Sequence, residues 1–296
     1  MKIQIISIFI IFILTGACSD NDRLTPSEGL EFSYSLPQGN HDYDTKIMDW
    51  FERCGFYILY HFDPERDLYW NGSYSSKLTF DQFSGICGEP ANELFVGEQL
   101  QLIEEGFLNF YEDSTLSRCI PMKLLLCSTL QKATRGVLND IDVYADGLDV
   151  IAINHGNEAI KEFNTDKCNS FKDAINVAFL QRMVTTGKMG IWNEFLEVSK
   201  YGVTSSESYF ARGFVGGYYS SKKPDTDLET YLEAILTIPD QVLYAEPADN
   251  DNTYKGILHS KKDKHGLIQK KYNMVIKHYK ECYHVDLLKI RNFNFK

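Results

Sequence analysis

What this chain lacks narrows its roles before any motif is read. A membrane-spanning helix needs about 20 apolar residues, and the one long apolar run, 5–14, is too short and is interrupted by Ser7. Positive charge is in deficit: 30 lysines and arginines stand against 41 acids, a formal net charge of -11, which removes nucleic acid from the expected partners. None of the 7 cysteines falls in a CxxC pair, so redox or ribbon-type metal motifs are missing. There is no G-x-S-x-G nucleophile elbow, and Gly213, Gly216 and Gly217 are not followed by the Gly-Lys-Ser/Thr of a phosphate loop. Disorder is excluded as the main theme, because 44% hydrophobic and 14% aromatic residues make a globular composition.

What is present begins with an address. Lys2, the apolar run 5–14 and the small residues Thr15, Gly16 and Ala17 read as a secretory signal over 1–17. Leu14-Thr15-Gly16-Ala17-Cys18 resembles a bacterial lipobox, which implies that Cys18 becomes the lipidated N-terminus and anchors the chain to a membrane outside the cytoplasm. Residues 18–36 are polar and turn-rich, a lipidated tether. The acidic start Ser19-Asp20-Asn21-Asp22 resembles the surface-export signal of lipoproteins in Gram-negative bacteria with SusC/SusD-type uptake systems. A surface-exposed outer-membrane lipoprotein is the expected location. The six remaining cysteines show no framework density, so mostly free, buried thiols are expected, Cys54 and Cys127 among them. The basic stretch 254–296 is read as the solvated face of a terminal helix.

Periodicity divides the rest into two textures within one continuous domain, 37–165 and 166–296. Ile47, Met48, Trp50, Phe51 and Cys54 form a helical stripe, and 56–62 reads as a strand. A loop follows over 63–88, then a helix over 93–111, then short buried-strand runs at 122–127 and 148–154. From Ser170 the pattern is helical: Ser170-x-x-Asp173 resembles a capping box, and Thr226-Asp227-Leu228-Glu229 is read as a second one. The last long helix is expected over 267–283, with Ile268, Tyr272, Val275, Ile276, Tyr279 and Cys282 on its apolar stripe. The expected fold is α+β: a small mixed β-sheet with helices, followed by a mainly helical C-terminal half.

Three segments carry a family resemblance. They are Tyr43-Asp44-Thr45 with Trp50-Phe51, the strand after them and Tyr69-Trp70; the Gly213 to Tyr218 loop leading into 225–235; and 272–277 with His284-Val285-Asp286-Leu287. Together they resemble the SusD-associated zinc-binding metallopeptidase-like lipoproteins of the gluzincin type, which implies a zincin-like scaffold. Such an enzyme needs two histidines one helical turn apart and a glutamate between them to activate a zinc-bound water. No HExxH occurs here. Aligning Phe179 with the family's aromatic residue puts Val177 and Gln181 at the ligand positions and Ala178 at the base. Valine and alanine have no lone pair to give. Asp227 and Glu229 remain near the place of the family's third ligand, with Glu229 read as a capping residue. The resemblance therefore implies an inherited scaffold with degenerate chemistry: no catalytic residues, no metal, and a binding or accessory role in nutrient uptake. The alternative is an active zinc metallopeptidase using Asp227, Glu229 or His155.

Other chemistry is sparse. His278 and Cys282 lie one helical turn apart without a third ligand nearby, and His155 is read as a lone histidine at a strand end. His259 and His265 flank a lysine-rich turn and are expected to be exposed. Asp140, Asp142, Asp146 and Asp149 lack calcium-loop spacing and read as a solvated loop. Tyr69, Trp70 and Tyr74 combine flat apolar faces with polar neighbours, a mix suited to a glycan or an outer-membrane protein partner.

Overall fold

The structure is a computed structural model that describes residues 34–68, 85–135, 137–146 and 149–296. Helix α1 (Asp42–Cys54) opens where the His41 N–H donates to Asp44 Oδ2 at 2.8 Å, and it ends at Gly55, whose φ of 77° is the left-handed geometry glycine tolerates best. Its stripe Ile47, Trp50 and Cys54 is buried, while Met48 and Phe51 lie to the side of it. Strand β1 (Tyr57–Leu59) follows, then a single turn α2 (Pro64–Asp67) and strand β2 (Gly85–Pro90). The turn α2 and the first four residues of β2 fall inside 63–88, the stretch read from sequence as loop.

Next come helix α3 (Glu93–Gly106), α4 (Asp113–Cys119) and strand β3 (Lys123–Thr134). Strand β3 organises the sheet. Its first residues pair in parallel with β1 (Tyr57↔Lys123) and with β6 (Val150–Ile153; Leu124↔Ile151). Leu124, Leu125, Leu126 and Cys127 are fully buried, as a strand covered on both faces requires. Past Cys127 only every third residue, Leu130 and Ala133, is buried, and the strand pairs antiparallel with β2 (Gly88↔Leu130) and β4 (Val137–Asp140; Ala133↔Leu138). The parallel core of the sheet runs in the order β1-β3-β6 and ends at β5 (Val143–Asp146), antiparallel to β6.

Strands β4 and β5 correct the solvated-loop reading of Asp140 to Asp149. Ile141, Val143 and Ala145 recur every second residue, the strand period, with Asp142 between them and Asp140 and Asp146 on either side. The mixed sheet otherwise agrees with the expected α+β class.

The long helix α5 (Thr165–Thr185) follows, 21 residues in length. It starts at Asn164, whose side chain accepts the Lys167 N–H, and not at the Ser170 box, because an amide at the N-cap satisfies the helix one turn and a half earlier. Asn176 anchors it: its Oδ1 accepts from Tyr111 Oη at 2.8 Å, and its Nδ2 donates to the Gly106 carbonyl at 2.8 Å. Phe179 is fully buried between the rings of Phe107 and Tyr111.

After α6 (Asn193–Glu197) and α7 (Gly217–Ser220) comes α8 (Pro224–Thr237), which packs on α5. It opens at Pro224 without a side-chain cap, so the second box expected at Thr226 is also corrected. The chain closes through α9 (Asp240–Leu243), α10 (Leu267–Cys282) and α11 (Leu287–Asn292). Ile268, Tyr272, Val275 and Tyr279 of α10 are buried as expected, but Cys282, in its last turn, is exposed. All six described cysteines are free thiols, and four of them are buried. Residues 36–296 form one packed unit.

Candidate functional site

Along α5, Ala178, Gln181, Arg182 and Thr185 recur at helical spacing and face a cleft of about 610 Å3. The other wall comes from the sheet's last strand, with Val143, Tyr144 and Ala145, and from Ile141 two residues before it, extended by Ile86 and Lys132 from the antiparallel ribbon. Helix α8 contributes Glu229. Gln181 Nε2 donates to the Glu229 carbonyl at 3.4 Å, and Thr185 Oγ1 donates to Glu229 Oε1 at 3.1 Å. Partial burial raises the Glu229 pKa, and the Thr185 hydrogen bond opposes that rise. Glu229 is thus a cleft residue bound to α5, not the capping residue its position suggested.

Of the three degenerate motif positions, Ala178 and Gln181 line this cleft, whereas Val177 is half-buried against the core. Zinc does not fit this donor set. Ala178 and Val177 offer nothing, the Gln181 amide is a weak neutral donor, and one carboxylate remains.

The other residues proposed as alternative ligands are held elsewhere. Asp227 is fully buried and bound at 2.6 Å by the equally buried Lys271 ammonium, with Tyr201 Oη donating to the same oxygen at 2.7 Å. Burial pushes the Asp227 carboxyl up and the Lys271 ammonium down, and each partner's charge opposes the other's shift. His155 is not a lone histidine: its Nε2 lies 2.6 Å from Asp142 Oδ1, and its ring packs edge-on against Phe163 and Phe171. Bonds from His155 first and Lys167 second hold the Asp142 pKa down to about 2.

On α10 the His278 ring stacks on Trp192, with ring centres 3.8 Å apart and planes 6° from parallel. Its Nδ1 is 3.6 Å from the exposed Cys282 thiol. His265 is exposed and pairs with Glu207 at 3.0 Å, and His259 Nδ1 accepts the Lys261 N–H at 3.2 Å. Cys18, Tyr69, Trp70 and Tyr74 lie outside the described residues.

Sequence reasoning found Ala178, Gln181 and Glu229 but missed Lys132, Tyr144, Arg182 and Thr185. Thr185, one turn beyond Gln181, was legible from helical spacing. Tyr144 was hidden by the reading of 140–149 as loop, and Lys132 lies on β3 beyond the run 122–127 read as strand.

No family model and no curated protein matches the chain. Among solved structures it is similar to a protein of Bacteroides caccae described as a "putative zinc-binding metallo-peptidase", with 14% identity, 86% of this chain and 91% of that chain covered, and a TM-score of 0.48.

Proposed function

We propose that the cleft between α5 and β5 binds an extended polypeptide segment without cutting it, on a scaffold of metallopeptidase type whose catalytic positions have been emptied. The observation that carries this reading is the cleft face of α5. Where a peptidase of this kind needs a base and a metal ligand, Ala178 and Gln181 stand, and the walls that would hold a substrate remain. Ile86, Ile141, Val143, Ala145 and Ala178 offer apolar surface for alternate side chains of an extended chain. Gln181, Thr185, Thr186 and Glu229 offer hydrogen-bonding groups for its amides.

The lipobox-like segment at Cys18 and the acidic tether after it support an outer-membrane lipoprotein facing outward. The resemblance to SusD-associated chains supports an accessory role in a SusC/SusD-type uptake system. Fluorescein-labelled casein tests the cleft directly, since anisotropy reads binding and dequenching reads cleavage. The expected result is saturable binding that Ala178→Trp abolishes, with no cleavage. Cleavage that stops when the sample is treated with 1,10-phenanthroline would sink the proposal, as would binding that Ala178→Trp leaves intact in a folded protein.

A further inference from the structure

At the other edge of the sheet, beside β1, three side chains with metal-binding chemistry meet from distant parts of the chain. Glu93, the first residue of α3, places Oε2 3.1 Å from His41 Nε2 and Oε1 3.0 Å from His61 Nε2. Their surroundings fix them in place. The Gln38 amide clamps His61 on both sides of its backbone: Oε1 accepts the His61 N–H at 3.1 Å, and Nε2 donates to the His61 carbonyl at 2.6 Å. The His41 N–H is held by Asp44, and its ring stacks on Tyr43 with centres 4.8 Å apart. Tyr43 Oη in turn donates to the Glu93 carbonyl at 3.3 Å. The His61 ring packs on Tyr60, which donates to the buried Asp44.

We propose that His41, His61 and Glu93 form a surface site for a divalent d-block cation of the zinc class, separate from the cleft and independent of its reading. Two imidazoles and a carboxylate are a ligand set such ions favour, with water completing the shell. Ligands about 2.0–2.1 Å from a tetrahedral ion stand about 3.3 Å from each other, close to the N···O separations already present. As the side chains stand they meet pairwise through hydrogen bonds. No three histidines, cysteines, aspartates or glutamates among the described residues yet enclose a point ready for an ion. Closure asks the Glu93 carboxylate to turn between the two rings. The three side chains are 42%, 50% and 46% exposed, so that rotation meets no packed core. The bound ion would tie the start of α1 and the end of β1 to the start of α3.

The test uses untagged protein, stripped with a chelator, freed of it, and titrated with zinc chloride by calorimetry. We expect one zinc per chain, at least about tenfold weaker binding in His61→Ala and in Glu93→Gln, and unchanged binding in Glu229→Gln. Metal-free unfolding midpoints of the variants should match the parent, which separates lost binding from lost folding. Should a variant not fold, the parent still decides the question: zinc must shield His41 and His61 from diethyl pyrocarbonate, mapped by mass spectrometry. No zinc uptake by the parent, uptake surviving both substitutions, or unshielded rings would overturn the site. Uptake lost in Glu229→Gln but kept in His61→Ala would put the ion in the cleft, refuting this site and the non-catalytic reading together.

Discussion

Asp227 was a candidate zinc ligand in the sequence and is a structural anion in the fold, and removing its charge distinguishes the two roles. Both Asp227 and Lys271 are fully buried, 2.6 Å apart, with Tyr201 Oη on the carboxylate and the Gly213 carbonyl 3.2 Å from the ammonium. The ammonium also sits among the rings of Phe195, Phe214, Tyr201 and Tyr231, at 4.8, 4.7, 5.1 and 5.8 Å. At an effective dielectric of about 20 the pair's gross attraction is about 6 kcal/mol, most of it offset by the desolvation of two buried charges. Asp227→Asn keeps the shape and leaves the ammonium buried without its counter-charge. We expect that variant to lose about 3–5 kcal/mol, a large part of the about 5–15 kcal/mol that holds a domain together. The double variant Asp227→Asn with Lys271→Met removes both charges and should recover most of the loss.

The pH dependence has a definite sign. Without its partner Lys271 has a folded pKa pushed further down, the unfolded chain then binds more protons, and stability of Asp227→Asn rises with pH up to the ordinary lysine value near about 10.4. Urea unfolding of parent, both single variants and the double variant measures each quantity. A loss under about 1 kcal/mol in Asp227→Asn, or no recovery in the double variant, would refute the buried-pair argument.

Three further outcomes follow from the packing. Asp142, held at about 2 by His155 and Lys167, contributes stability that is full above the unfolded carboxylate value and is lost as pH falls from about 4 to about 2. Discounted for its partial exposure, Asp142→Asn should cost about 1 kcal/mol at pH 7 and nothing near pH 2, as chemical denaturation at the two pH values would show. A Cβ at Gly156 would stand 2.5 Å from Ala91 Cβ and 2.6 Å from Gln99 Oε1, so Gly156→Ala should destabilise by about 1–3 kcal/mol in thermal unfolding. Asn164→Ala removes the cap of α5 and should lower stability by about 1 kcal/mol in urea titration, whereas Ser170→Ala should change it little.

Helices with one clean apolar stripe were the legible part of this chain. The α10 stripe placed its helix to within a residue, and the α1 stripe revealed a helix and its end at Cys54 but not its start at Asp42, five residues before Ile47. Buried runs such as Leu124 to Cys127 revealed strand but not its length, since β3 past Cys127 buries only every third residue and looks polar. Strand β5 was lost because acids at alternate positions resemble a solvated loop. Capping boxes misled twice: Asn164 and Pro224 each start a helix before the serine or threonine that looked like its cap. The cleft was half visible, since α5 and α8 announce Gln181 and Glu229 but not that they touch. Long-range pairs such as Asp142 with His155, or Glu93 with His41 and His61, leave no local pattern at all, because the sheet brings them together and sequence spacing does not.

That half-visible cleft allows the proposed correspondence with a peptidase site to be tested by adding the groups it lacks. Ala178 and Gln181 face the cleft and Glu229 bonds both Gln181 and Thr185 across the α5–α8 contact. Val177 lies four residues before Gln181 and so shares its side of the helix, but it is half-buried against the core. The triple variant Val177→His, Ala178→Glu, Gln181→His therefore presents two imidazoles and a base beside an existing carboxylate. It should take up zinc that His61→Ala does not remove and Glu229→Gln does. Affinity should fall short of an evolved site by about 10–100-fold, because no outer hydrogen bonds orient the new rings. Equilibrium dialysis with zinc measures it. A folded triple variant that gains no zinc beyond the parent would mean that α5 does not present these three positions to a common point, and the reading of the cleft as an emptied catalytic site would fall with it.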